Sequence, residues 1–94
     1  MTEAKDTVIL RKSEYDIFAV PDLEAELLPL TAQSCTIDFR HVAYIDSSGV
    51  NVLIRLWKRL GKLHAKAHIR FINVSMGLKR IFRITQMTQL FDIE

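Results

Sequence analysis

Apolar residues recur along this chain in two rhythms, every second residue and every third or fourth, and the switches between them divide it into elements. "TVILRK" (residues 7–12) is a short β-rich run, and the polar "SEYD" (13–16) breaks it off. Pro21 then opens "PDLEAELLPLTAQ", with proline at a helix start and acidic residues in the first turn, where the helix dipole favours them. Pro29 kinks or ends that helix. "SCTIDF" (34–39) alternates, with Cys35, Ile37 and Phe39 on one face and Thr36 and Asp38 on the other, and so reads as a strand. After "RHVAYI" comes the longest helix, over 47–63. Wound at helical pitch it places Val50, Leu53, Ile54, Trp57 and Leu60 on one inward stripe, widened by Val52, Leu56 and Leu63. Asn51, Arg55, Lys58, Arg59 and Lys62 fill the opposite arc, and Gly61 weakens the last turn. "HIRFIN" is another strand, with Ile69 and Phe71 facing one way. "SMGLKRIFRIT" is a second amphipathic helix, capped by Ser75, with Leu78, Ile81 and Phe82 inward. "MTQLFDI" closes the pattern as a short apolar element.

The order β-α-β-α-β-α predicts an α/β fold: a small mixed, largely parallel β-sheet with amphipathic helices packed on it, in one domain spanning residues 1–94. Ligands of such sheets gather at the carboxyl ends of the strands. "SEYD", "IDSSG" and "NVSMG" all fall at that end.

Composition narrows the function. With 94 residues, 49% hydrophobic and 26% charged, the chain can build a modest core and does not read as disordered. No apolar run approaches a membrane span, and the polar "MTEAKD" does not read as a signal peptide. The single cysteine, Cys35, sits inside a strand pattern and reads as a small buried hydrophobe suited to a reducing cytoplasm. Net charge +2 hides an asymmetry: residues 1–46 carry a net −5 and residues 47–94 a net +7. Such polarity steers a charged partner, or it draws the two halves of one fold together.

The segment that carries chemistry is "DSSG" (46–49). Asp46 or Ser47 can cap the long helix by accepting a bond from a free backbone N–H, which leaves the hydroxyl of Ser48 free in the first turn. Gly49 removes a side chain there and allows another surface to come close. A phosphate on Ser48 would lie at the positive end of the helix dipole and add about −1.5 to −2 charges to a docking surface without unfolding it. The alternative is a doubled capping sequence with no further role.

"SEYD" (13–16), "VAYIDSSGV" (42–50) and "MTQLF" (87–91), in this order and at these separations, resemble the STAS domain shared by bacterial anti-sigma factor antagonists and the cytosolic tails of sulphate transporters. The resemblance covers nearly everything from Thr7 onward. It implies that Ser48 is the residue phosphorylated by a partner that is both anti-sigma factor and GHKL-type serine kinase, with ATP and Mg²⁺ held by that partner. It also implies a PP2C-like phosphatase that resets the switch. Asp16 and Asp46 match the acidic positions bordering the site, and Ser47, Gly49, Asn51 and Ser75 complete the expected partner-binding set. Three departures stand out. Ser13 replaces the family's usual glycine, the helix after Ser48 is unusually basic, and little chain precedes Thr7 for the usual first strand, which implies a shortened or uncovered sheet edge.

Rival functions have thinner support. A nucleic-acid module could be read from Arg55, Lys58, Arg59, Lys62 and Lys66, but no aromatics interleave with them, Trp57 being expected to point inward. An enzyme needs a base beside its nucleophile. His64 and His68 fall beyond the far end of the long helix, and His41 has no orienting partner. One cysteine and scattered histidines do not make a metal site. The expectation is therefore a cytoplasmic, non-enzymatic binding switch, monomeric when free, with no cofactor of its own, no nucleic acid and no membrane insertion. A constitutive adaptor whose Ser48 stays unmodified is the alternative.

Overall fold

The computed structural model describes residues 5–94. Strand β1 (Lys5–Ile9) starts two residues before the expected run and stops three before its end; the fully buried Leu10 follows. Whatever precedes Lys5 lies outside the described residues. The supposed polar break contains a strand, β2 (Glu14–Tyr15), and the helix it leads to, α1 (Val20–Leu27), has Pro21 in its first turn and stops before Pro29. Next come β3 (Ser34–Asp38), β4 (Tyr44–Ile45), α2 (Ser47–Leu63), β5 (His68–Ile72), α3 (Met76–Ile84) and β6 (Asp92–Ile93). Single 3-10 turns at Ile17–Ala19 and Met87–Gln89 precede α1 and β6.

The main sheet has the order β1-β3-β5-β6, with every pairing parallel. Each successive strand is added on the same side of the last. Right-handed crossovers in one direction put every connecting helix on the same face, so the molecule has two layers. Cys35, Ile37, Phe39, Ile69 and Phe71 are buried on the helix side, under Leu53, Leu56 and Leu60 of α2 and Leu78 and Phe82 of α3. An aromatic cluster closes one end: Phe71 stacks on Phe91 at 4.4 Å, and Phe39 lies between Phe71 at 4.8 Å and Phe82 at 5.6 Å. The other face of the sheet is open. Its side chains are polar apart from Ile9 and Ile72 at one end, and the pairs His68–Asp92 and Arg70–Glu94 run across it between β5 and β6.

The inward stripe of α2 is rotated from the one expected. Val50, Val52, Leu53, Leu56 and Leu60 are buried, whereas Trp57 is 39% exposed and Leu63 is exposed. The cause is α1, which packs along α2 and draws Val52 and Leu56 inward. The far edge of the stripe, with Trp57, turns outward. Arg59 is no free cation either: its guanidinium donates to the carbonyls of Leu30 (2.9 Å) and Leu27 (3.1 Å), closing the carboxyl end of α1. Arg55 reaches Glu24 at 3.4 Å. The two oppositely charged halves thus meet within the fold.

Candidate partner-binding site

The site is built on the two-residue strands. β2 and β4 pair in parallel, Glu14 beside Tyr44 and Tyr15 beside Ile45, and the Asp46 amide extends the ladder to the Tyr15 carbonyl at 3.1 Å. Side chains, not strand length, hold so short a ladder in place. Tyr15 is fully buried; its hydroxyl donates to Glu26 at 2.9 Å and accepts from the Lys12 amide at 3.1 Å. Burial first, and then the Glu26 carboxylate, push that phenol up to about 12, so it stays protonated as a strut between β2 and α1.

Each short strand runs into an aspartate with the same backbone conformation, Asp16 at φ −96°, ψ −171° and Asp46 at φ −98°, ψ −175°. Asp16 caps the 3-10 turn that leads into α1, and Asp46 caps α2. Asp16 Oδ1 accepts from the amides of Phe18 (3.0 Å) and Ala19 (3.2 Å); Asp46 Oδ1 accepts from those of Ser48 (2.9 Å) and Gly49 (3.3 Å). The cap of α2 is therefore Asp46. Ser47 is the first helical residue and exposed, and Ser48 the second and half-buried. Asn51 lies exposed one turn on, on the same side as both serines.

Gly49 does something other than open the surface to a visitor. It is buried, and a Cβ on it would sit 2.5 Å from Ile45 Cγ1 and 3.1 Å from the Tyr15 carbonyl oxygen. The surface it admits is the chain's own β2–β4 ladder. Ser75 is exposed and caps α3, accepting from the Leu78 amide at 3.2 Å, and α3 packs against β4. Asp16, Asp46, Ser47, Ser48, Asn51 and Ser75 thus gather at the carboxyl ends of the strands, with Gly49 beneath them.

Two groups here escaped the sequence. One is a set of exposed apolar side chains: Phe18 at 88% exposure, Met76 at 82%, Ile17 at 63%, and Tyr44. Ile17 and Phe18 directly follow the Asp16 cap, Tyr44 stands two residues before the Asp46 cap, and Met76 opens α3. Their only sequence signal was apolar character at positions outside any period. The other is Asp38, 1% exposed at the end of β3. It accepts from the Arg40 amide and guanidinium and from Asn73 Nδ2 at 3.0 Å. The Arg40 guanidinium above all, with Asn73 and the Arg40 amide, holds that carboxyl down to about 2 against the opposing effect of burial. Asn73, in the left-handed region at φ 55°, turns the chain out of β5 to reach it.

Among the described residues no group of three or more His, Cys, Asp or Glu side chains could hold a metal ion, and no helix is long and apolar enough to cross a membrane. His64 bonds the Thr31 carbonyl at 2.8 Å, and His68 lies 3.7 Å from Asp92, both away from Ser48.

Comparison with known proteins places this geometry. The STAS domain model matches residues 1–94. The chain is 32% identical over 82 residues to an anti-sigma-B factor antagonist of Bacillus subtilis (strain 168), covering 85% of this chain and 73% of the relative. It is 28% identical over 83 residues to the anti-sigma-B factor antagonist of Staphylococcus aureus (strain NCTC 8325 / PS 47), covering 85% and 75%. Among solved structures, an anti-sigma factor antagonist from Mycobacterium paratuberculosis superposes with a TM-score of 0.78 at 20% identity, over 93% of this chain and 74% of that one. The anti-sigma factor antagonist SpoIIAA in its unphosphorylated form superposes at 0.71 and 17% identity, over 100% and 84%. The same fold recurs in these structures, and this chain belongs to the STAS domain family.

Proposed function

We propose that this protein, like the relatives whose names say so, antagonises an anti-sigma factor, and that Ser48 is its switch. In this reading the carboxyl-end surface binds the anti-sigma factor while Ser48 is unmodified. That partner, a GHKL-type serine kinase, transfers phosphate from its own Mg²⁺–ATP to the Ser48 hydroxyl. The modified protein lets go, and a PP2C-like phosphatase restores it. The chain works in the cytoplasm, is not itself an enzyme, and holds no cofactor.

The observation that carries this reading is that Ile17, Phe18, Tyr44 and Met76, all exposed, stand within two residues of the capping residues Asp16, Asp46 and Ser75 at the carboxyl-end surface that holds Ser48. Apolar side chains left in water beside polar capping groups are what an interface centre looks like before its partner arrives. A neutral serine can be buried there at small cost. A phosphate cannot, and the helix does not absorb its charge, because Asp46 already occupies the amides of Ser48 and Gly49. The added charge stays at the surface beside two carboxylates and must be desolvated for the partner to close.

Calorimetric titration with the cognate anti-sigma factor tests it. Ser48→Ala should bind and should lose well under the ~1 kcal/mol typical of a missing cap, since the cap is Asp46. Ser48→Asp should keep its melting temperature yet bind about 10-fold more weakly or worse, roughly 1.4 kcal/mol. Incubation with the kinase and ATP should add one phosphate, on Ser48 by peptide mass spectrometry. Phosphate on Ser47 would sink the assignment, and undiminished binding by Ser48→Asp would leave a constitutive adaptor.

A further inference from the structure

α2 carries a second surface that the proposed switch does not use. Toward the far end of this 17-residue helix from Ser48, an open cleft of about 370 Å³ is lined by Trp57, Lys58, Gly61, Lys62, His64, Ala65 and Ala67. The rise of a helix puts Trp57 about 14 Å and Lys62 about 21 Å along the axis from Ser48. The half-exposed indole forms one wall. Gly61 keeps the floor low: a Cβ there would meet nothing within 4 Å. Lys58 and Lys62, one turn apart, form a cationic rim. Neither has an acidic partner among the described residues, whereas Arg55 and Arg59 on the same helix are both engaged. α2 contains no acidic residue.

We propose that this cleft docks an acidic segment of a partner protein, with one aliphatic side chain seated against the Trp57 indole and carboxylates on Lys58 and Lys62. Charge complementarity selects the occupant. An apolar wall beside two unpaired cations suits an apolar side chain flanked by carboxylates. A second copy meeting this face two-fold would set lysine row against lysine row. A nucleic-acid strand needs a longer basic track and successive stacking platforms, and here one aromatic stands alone. This proposal does not depend on the reading of Ser48. Lying at the other end of the helix, the cleft stays open whatever the state of that serine, so a protein held here would remain attached when the switch lets go.

Trp57 is the only tryptophan in the chain, so its fluorescence reports the site directly. The probe is an acetylated, amidated heptapeptide of six glutamates around a central leucine, titrated into the full chain at about 0.1 M salt, where the Debye length is about 10 Å. A saturable blue shift is expected. Replacing Lys58 and Lys62 together by glutamate should weaken it roughly tenfold or more with an unchanged melting temperature. Gly61→Leu, which fills the floor without breaking the helix, should abolish it, and Ser48→Asp should leave it within about twofold, the screened charge being more than a Debye length away. Substituting alanine for the peptide's leucine should cost several-fold, of the order expected for a few buried methylenes. Four results overturn the proposal. They are no saturable shift, equal binding by the all-glutamate peptide, tighter binding by a single-stranded oligonucleotide, and a dimer in sedimentation that buries Trp57 without peptide.

Discussion

At the scale of single residues, the site depends on side chains that are small or fully engaged. Gly49→Ala forces a methyl into Ile45 and toward the Tyr15 carbonyl. Overpacking of that kind costs typically 1–3 kcal/mol. Urea denaturation should show the loss, with an unchanged m-value. Asp38 makes a pH prediction. Its folded pKa, about 2, lies below the ordinary carboxylate value of 3.8, so the folded state binds its proton less readily than the unfolded one. Its contribution is fully present above about pH 4 and lost as pH falls toward 2, on the order of 2 kcal/mol. Asp38→Asn should be less stable at neutral pH and should show a flatter fall in melting temperature between pH 5 and 2. The capped helix start that holds the proposed switch was legible, because "DSSG" has a form that capping chemistry explains. Phe18 and Met76 were not, because an exposed apolar residue outside a period looks the same in sequence as one tucked into a loop.

At the scale of elements, the long periodic segments announced themselves and the two-residue strands did not. β2 and β4 are too short for alternation to show, and what fixes them is the burial of the Tyr15 and Ile45 side chains, Tyr15 reaching Glu26 of α1 and Ile45 lying against Gly49 of α2. Ser47 was a reasonable cap by residue type, but Asp46 reaches the amides first because β4 delivers it in extended conformation. The face of α2 was misjudged on one edge, since helical pitch says which residues share a stripe and not where a neighbouring helix will pull it. Arg59 belongs to the same lesson. Placed among solvated cations by periodicity, it supplies the missing partners of the α1 carboxyl end. Arg59→Ala should therefore destabilise the domain by about 1–2 kcal/mol, since hydrogen bonds from a charged donor exceed neutral ones. Lys58→Ala, one position away and without an acidic partner among the described residues, should change stability by less than about 0.5 kcal/mol in the same thermal melts.

At the scale of the whole molecule, strand order decides which surfaces are available. Parallel sheets are commonly covered on both faces, yet here the monotonic order leaves one face to water, carrying Thr36, His68, Arg70, Asp92 and Glu94. Adjacent residues of β5 should answer very differently to substitution. Phe71→Ala on the helix side should cost about 3–5 kcal/mol. Arg70→Gln on the open side removes only an exposed ion pair and should stay within about 1 kcal/mol. Chemical denaturation of the two variants compares them directly. The order of the long elements and the parallel pairing of β1, β3 and β5 were legible from the alternation of strand and helix patterns. The open face was not, because it follows from the order in which the strands lie side by side.

The twin aspartate caps have a consequence for timing. The 3-10 turn before α1 and helix α2 start from neighbouring rungs of one short ladder, with their first amides already satisfied by Asp16 and Asp46. The proposed switch therefore has no hinge to swing and no lid to refold. Modified and unmodified protein would share one backbone, and no slow conformational step would separate phosphate transfer from its effect. Signal speed would be set by how fast the complex falls apart and how fast the phosphate is added and removed, so the response would follow the balance of the two enzymes and store no memory of its own.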